Sequence, residues 1–351
     1  MPVTLTSLTD LARHGFDEII DVRAPAEYAE DHLPGAINLP VLDDAERARV
    51  GTIYKQVAPF AARKIGAALV ARNAARHIEE ALADKPGGWR PLVHCWRGGQ
   101  RSGSFALILG QIGWRVETLA GGYKAWRGLV LRELTETPLR APLVLLDGNT
   151  GSAKTELLAR LAQRGVQVID LEGLANHRGS LFGGRGAPQP SQRMFEGRLA
   201  HALAALDPNR PLVVEAESAM IGQCRLPPVL WRAMTQAPRI ELEAHRADRA
   251  AYLARAYQDV TTDPARLLAT LDQLRPYHPA KRIETWQALA AAGAFADLAE
   301  ALMQHHYDPR YAKHRARSDL PRDTFPLAAL SPEALDRAAD ALARRIPEIA
   351  R

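Results

Sequence analysis

Cys95, Trp96, Arg97, Gly98, Gly99, Gln100 and Arg101 form a loop of the spacing Cys-x5-Arg, between an apolar strand-like run (Pro91–His94) and a helical stretch beginning near Ser102. Five intervening residues are enough to curl the backbone so that successive N–H groups point at one centre, and Gly98 and Gly99 allow the dihedrals a curl needs. A helix N-terminus adds partial positive charge, and Arg97 and Arg101 add full charges. A thiol in that field loses its proton more readily, and thiolate is the nucleophile. The same cradle fits a tetrahedral oxyanion. Two uses follow: phosphate-ester hydrolysis, or carriage of sulfur or selenium on Cys95. The bland alternative is an inert buried cysteine beside a chance arginine. His94 reads as a strand histidine rather than an acid or base.

A second turn, Gly148, Asn149, Thr150, Gly151, Ser152, Ala153, Lys154, Thr155, also joins an apolar run (Leu143–Asp147) to a helical stretch. It follows the phosphate-loop pattern, with Ala153 where the last glycine is usual. Backbone N–H groups would wrap a di- or triphosphate, Lys154 would reach its terminal phosphates, and Thr155 carries the hydroxyl that holds Mg²⁺ in such loops. If position 153 needs a positive φ, alanine costs about 1 kcal/mol. Glu215 or Glu217, at the end of the run Leu212–Glu215, stands where a Walker B acid would, or is an ordinary strand-end acid. Between these lies a Gly-rich segment with His177, Arg178 and Arg185, donors suited to phosphate. Arg193 and the run 313–317 add further basic candidates for a polyanion. Trp96, Phe182, Tyr307 and Tyr311 are candidates to stack a splayed base, although each such aromatic is more often core. Cys224 reads as structural.

The elements that must position these residues alternate as strand and helix, which argues for parallel α/β sheets. Two prolines in Thr135–Pro142 mark a boundary, dividing the chain into 1–137 and 138–351, the latter mainly helical from about 264 onward. The 351 residues, 47% hydrophobic and 24% charged, suit two globular domains. Two cysteines exclude a disulfide scaffold and a four-cysteine zinc site. No metal-ligand set is expected. No run approaches the ~18 apolar residues of a membrane helix, and the start lacks a basic n-region and a small-residue cleavage site, so the expected compartment is cytoplasmic. The formal charge of +5 permits a polyanionic partner.

Ile20–Arg23, His32–Pro40, the Cys95 loop and Leu119–Trp126 occur in the order of a rhodanese domain, which residues 1–130 resemble. With the phosphate loop, Leu171–Gly183, Gln189–Glu196, Glu215–Gly222 and Tyr307–Tyr311, the chain from about 12 to 315 resembles the bacterial tRNA 2-selenouridine synthase family. That resemblance implies a rhodanese-like parallel-sheet domain followed by a P-loop NTPase-like α/β domain with a helical C-terminal region. It implies conversion of 2-thiouridine, at the wobble position of a tRNA anticodon arm, to 2-selenouridine. The co-substrates would be selenophosphate and geranyl diphosphate, the intermediate S-geranyl-2-thiouridine, with no tightly bound cofactor. Cys95 would carry chalcogen with Arg101 beside it, Trp96–Gln100 would cradle selenophosphate, and the phosphate loop would hold geranyl diphosphate or a nucleotide. His177, Arg178, Arg185, Tyr307 and Tyr311 would contact tRNA or phosphate. A general rhodanese-type sulfurtransferase with an appended P-loop ATPase or kinase, a Cys-dependent phosphatase, and a non-catalytic tRNA-binding module are the competing readings.

Overall fold

The computed structural model describes residues 2–315 and 322–350, so the end of the basic run 313–317 lies outside the described residues. The chain divides into two units. One comprises Met1–Thr137 with Pro190–Ala205; the other comprises Pro138–Gln189 with Leu206–Arg351.

The first unit is built on four parallel strands: β1 (Glu18–Asp21), β2 (Ala36–Asn38), β3 (Pro91–His94) and β4 (Glu117–Thr118), in the order β2-β1-β3-β4. All four residues of β3 are buried, as expected of a central parallel strand covered by helices on both faces. The core joins Ile20, Val22, Val93, Phe105 and Leu109 with Leu69 and Val70 of helix Pro59–Glu79. Parallel strands place their C-terminal ends on one edge, where open α/β sheets bind ligands. The Asp21–Arg23, Cys95 and Gly121–Tyr123 segments all leave the sheet there.

A continuous second domain from 138 is not what the contacts give. Helix Gln192–Ala204 packs on helix Gly122–Thr135 of the first unit. Arg127 pairs with Glu196 and donates to the carbonyl of Arg193 at 3.1 Å, while Arg193 pairs with Glu30 at 2.9 Å. The sequence break at Pro138 is local in origin, and such pairings across the chain are invisible to it.

The second unit has five parallel strands: β5 (Leu143–Gly148), β6 (Gln167–Ile169), β7 (Leu212–Glu215), β10 (Arg239–Glu243) and β11 (Arg322–Pro326), in the order β11-β10-β5-β7-β6. A two-stranded antiparallel hairpin, β8 (Met220–Ile221) with β9 (Cys224–Arg225), interrupts the numbering. Cys224 is buried in it, and Gln189 Nε2 donates to its Sγ at 3.7 Å. β5 is buried throughout. Helices Lys154–Gln163 and Pro332–Ile349 pack together over this sheet, with Leu157, Leu161, Leu335, Leu342 and Ile346 in one apolar cluster. A separate helical core gathers Val260, Leu267, Leu271, Ile283, Trp286, Leu298 and Leu302. Among the described residues no helix is long and apolar enough to cross a membrane.

Candidate functional site

β3 delivers Cys95 to the sheet edge with 4% of its surface exposed. Gly99 N–H donates to its sulfur at 3.3 Å and Ser102 Oγ at 3.2 Å. Burial pushes the thiol pKa up, but hydrogen bonds from Ser102, Gly99 and Arg97 outweigh it and bring the value below that of an ordinary cysteine. The loop is braced from outside. Gly98 takes φ +65°, and a Cβ on Gly122 would stand 2.3 Å from the Cys95 carbonyl oxygen and 2.5 Å from the Gly98 nitrogen. Glycine at 122 therefore lets the two loops interlock, and the N–H groups of Tyr123 and Lys124 donate to the carbonyls of Cys95 and Trp96 at 2.8 and 2.9 Å. Gly99, by contrast, has a negative φ of −110°.

One sequence expectation changes in this unit. Arg101 does not point its charge at the sulfur through a free guanidinium; it forks onto Glu27, with contacts of 2.7 and 3.3 Å. Burial would raise the Glu27 pKa, and Arg101 draws it below the usual carboxylate value. Trp96 lies tilted against Tyr123, ring centroids 5.1 Å apart. Arg97 and Gln100 are exposed at the rim. Beneath the loop sits the buried pair Asp21–Arg23 at 2.6 Å, with Arg23 4.0 Å from the Tyr123 ring centroid. Tyr123 donates to Asp31 at 2.8 Å. Asp31 is raised to about 6 by burial, against the opposing pull of Tyr123, Arg127 and Arg23. His94 is fully buried, both ring nitrogens are without hydrogen-bond partners among the described residues, and burial lowers its pKa to about 4. It is a neutral strut under the loop.

The phosphate loop leaves β5 in the second unit. Ala153 sits at φ +57°, ψ 30°, so the substitution for glycine does carry the left-handed strain of about 1 kcal/mol. Its side chain is buried in the apolar cluster behind the loop. Lys154 Nζ donates to the Gly148 carbonyl at 2.9 Å. Desolvation alone would lower its pKa, but Tyr311, Glu217, Glu172 and Asp147 hold it above the ordinary lysine value. Thr155 donates to Glu172 at 3.1 Å.

A cavity of about 660 Å³ opens over this loop, lined by Thr150–Thr155, Glu172, Arg178, Arg185, Glu217, Tyr307 and Tyr311 among others. Residues separated by more than 150 positions are thus gathered at one place. Arg185 reaches Glu172 at 3.5 Å. Arg178 is a wall residue held by both oxygens of Asp259 at 3.0 Å and stacked 4.6 Å from the Tyr257 ring. His177 stands behind that wall, accepting from Gly179 N–H at 3.1 Å and lowered in pKa by burial and by Arg185 and Arg178. Of the two Walker B candidates, Glu217 faces the cavity, whereas Glu215 is wholly buried and accepts from Leu171 N–H at 3.3 Å. Burial and the neighbouring Glu172 raise Glu217 to about 7.

Two residues to which sequence reasoning assigned no role pin the phosphate loop. Arg249 donates to the Thr150 carbonyl at 3.0 Å and forks onto Asp308 at 3.1 and 2.9 Å, and Asn149 donates to Asp308 at 3.1 Å. Asp308 and Arg249 therefore fix the phosphate loop to helices Arg246–Ala256 and Asp308–Arg315. Asp308 lay inside a quoted motif; Arg249 had no signal beyond helical spacing. One stacking candidate and one basic candidate for polyanion contact are placed otherwise than expected. Phe182 packs in the helical core, and Arg315 of the basic run pairs with Glu241 at 2.6 Å and Asp147 at 3.5 Å.

A thiol cradle on one parallel sheet and a phosphate loop on another define a rhodanese domain joined to a P-loop domain. The family models agree: a Rhodanese-like domain matches residues 4–129, and the tRNA 2-selenouridine synthase AAA domain matches 141–275. Curated relatives bear the name tRNA 2-selenouridine synthase. The one from Hahella chejuensis is 40% identical over 250 residues, covering 68% of this chain and 63% of that protein. Those from Pseudomonas fluorescens and Pseudomonas syringae pv. tomato are each 35% identical and cover 85% of this chain and 88% of theirs. The chain belongs to the tRNA 2-selenouridine synthase family.

Proposed function

We propose that this protein replaces the sulfur of a wobble 2-thiouridine in tRNA by selenium, in two steps served by the two sites. The observation that carries the reading is the pairing, in one chain of this family, of an activated thiol with a cavity over a phosphate loop that presents Lys154, Arg178 and Arg185.

In the first step the thiocarbonyl sulfur attacks C1 of geranyl diphosphate. A C–S bond forms as the C–O bond breaks, diphosphate leaves with the electron pair, and the N3 proton of the base is released to solvent. Lys154, Arg178 and Arg185 surround the space a diphosphate would fill, and such charges stabilise the departing oxyanion. Thr155, Glu172 and Glu217 offer the hard oxygen donors that suit Mg²⁺; when bound, the ion would neutralise diphosphate charge. In the second step the selenium of selenophosphate attacks C2 of the base: a C–Se bond forms, the C–S bond breaks with geranyl thiolate leaving, and water then cleaves the Se–P bond to release phosphate. Alkylation makes that sulfur a better leaving group. The Cys95 loop, with Gly99 N–H and the Ser102 hydroxyl directed inward, is suited to a tetrahedral selenophosphate beside the thiol, and Cys95 serves this step alone.

Nucleoside mass spectrometry of thiolated tRNA, incubated with selenophosphate with and without geranyl diphosphate, tests the reading. 2-Selenouridine formed only through a geranylated intermediate is the expected result. Thiosulfate-to-cyanide turnover with no change in tRNA nucleoside mass would instead assign a general sulfurtransferase.

A further inference from the structure

The 660 Å³ cavity is not the whole of the space above the phosphate loop. Thr150, Ser180, Leu253, Tyr257 and Tyr307 line it on one side and a second recess on the other. Across that shared wall the chemistry changes. The main cavity presents Lys154, Arg178 and Arg185; the recess is walled by Phe182, Val260, Leu267, Phe295, Leu298 and Leu302, and its surface is almost wholly hydrocarbon. Its walls come from the helical core rather than from the sheet.

We propose that this recess takes the hydrocarbon end of an alkyl diphosphate whose head group sits on the phosphate loop, and that it limits the chain to a short one. The proposal rests on the reading of the phosphate loop as a diphosphate site and adds the residues that choose the tail. A head needing cations beside a tail needing desolvation matches a polar cavity that abuts an apolar one. A purine in the recess would leave ring nitrogens without partners, at the cost of unsatisfied polar groups. The recess volume is about 70 Å³, against roughly 150 Å³ for a protein cavity that holds benzene. It therefore has room for the terminal few carbons only. A chain that reaches the recess with its last few carbons is accommodated, whereas one five carbons longer would overfill it.

Calorimetry on the full-length protein with inorganic pyrophosphate and with dimethylallyl, geranyl and farnesyl diphosphates tests the assignment. The wild type should bind the ten-carbon ligand about tenfold or more tighter than the five-carbon one. Ala299→Phe, which fills the recess from its wall, should abolish that gain while leaving pyrophosphate and the five-carbon ligand within about twofold. Leu298→Ala should let the fifteen-carbon ligand bind more tightly. Thr261→Leu, at another point of the same wall, gives the answer should Ala299→Phe fail to fold. An unchanged ten-to-five-carbon ratio in the filled variants, or an equal loss for every ligand, overturns the proposal. ATP binding that is tighter than the ten-carbon ligand and is weakened by Ala299→Phe overturns it in favour of a base pocket. Prenyl transfer to thiolated tRNA, followed by mass spectrometry, separates this from the functional reading. Tail-dependent binding without transfer sinks the functional reading and leaves the recess assigned; transfer without tail-dependent binding does the reverse.

Discussion

The Cys95 loop and the phosphate loop share a plan, a strand that ends in a glycine-bearing turn and passes into a helix, yet they are finished in opposite ways. The first is closed upon one atom. Its N–H and hydroxyl donors already meet the sulfur, and Gly98 and Gly122 exclude everything between them. The second is open, with its charges on side chains around a cavity of about 660 Å³. A backbone cradle tunes a resident nucleophile and suits a small anion beside it; an open cavity that sets Lys154, Arg178 and Arg185 among carboxylates has room for a larger molecule. The difference teaches that anion-binding turns of similar sequence are told apart by what packs on them.

The sharpest way to break this comparison is Cys95→Ser. Selenation should fall by about 10³-fold or more while geranylation stays within about twofold, both read by nucleoside mass spectrometry; equal losses would erase the division of labour. Lys154→Ala should weaken geranyl diphosphate binding about a hundredfold and leave the reactivity of Cys95 towards an alkylating reagent unchanged. Gly122→Ala should destabilise the first unit by about 2 kcal/mol or more in denaturant melts, because its Cβ cannot clear the Cys95 carbonyl.

A gentler probe is pH. With its pKa raised to about 7, Glu217 is mostly neutral below that value and a carboxylate above it. A carboxylate facing the cavity repels a diphosphate, so in metal-free buffer affinity should fall about fivefold between roughly pH 6 and 8 beyond the change seen in Glu217→Gln. Ala153→Gly should change stability least, by within about 0.5 kcal/mol, since relief of left-handed strain is offset by added backbone entropy in the unfolded chain. A large gain there would mean the strain is greater than the dihedrals suggest.

What could be read from the sequence was what neighbours in sequence decide. The buried strands Pro91–His94 and Leu143–Gly148, the turns after them, and the helices that follow are local patterns, and the expected segments coincide with the observed elements to within a residue or two. What escaped is long-range. Nothing near Arg101 announces Glu27, and nothing near Thr150 announces Arg249 and Asp308. The apolar recess also arises only once helices from 246 to 302 have packed together, since Arg246–Ala256, Gln258–Thr261, Pro264–Asp272 and Phe295–Leu302 all contribute to its wall. Ala153 was legible as a departure, but only its dihedrals show that the departure is strained.

The helix Gln192–Ala204 has a consequence for how this polypeptide is made and cut. The chain enters the second unit after Thr137, returns to the first at Pro190 and leaves it again after Ala205. On the ribosome, the first unit cannot finish assembling until the chain has been synthesised through Ala205, by which time the first segment of the second unit, Pro138–Gln189, has already been made. A fragment ending at Thr137 would strip the cover from helix Gly122–Thr135 and strand Arg127 without Glu196. The natural seam for dissection is thus no single peptide bond, and a linker inserted at Pro138 alone would not make the two halves independent beads on a string.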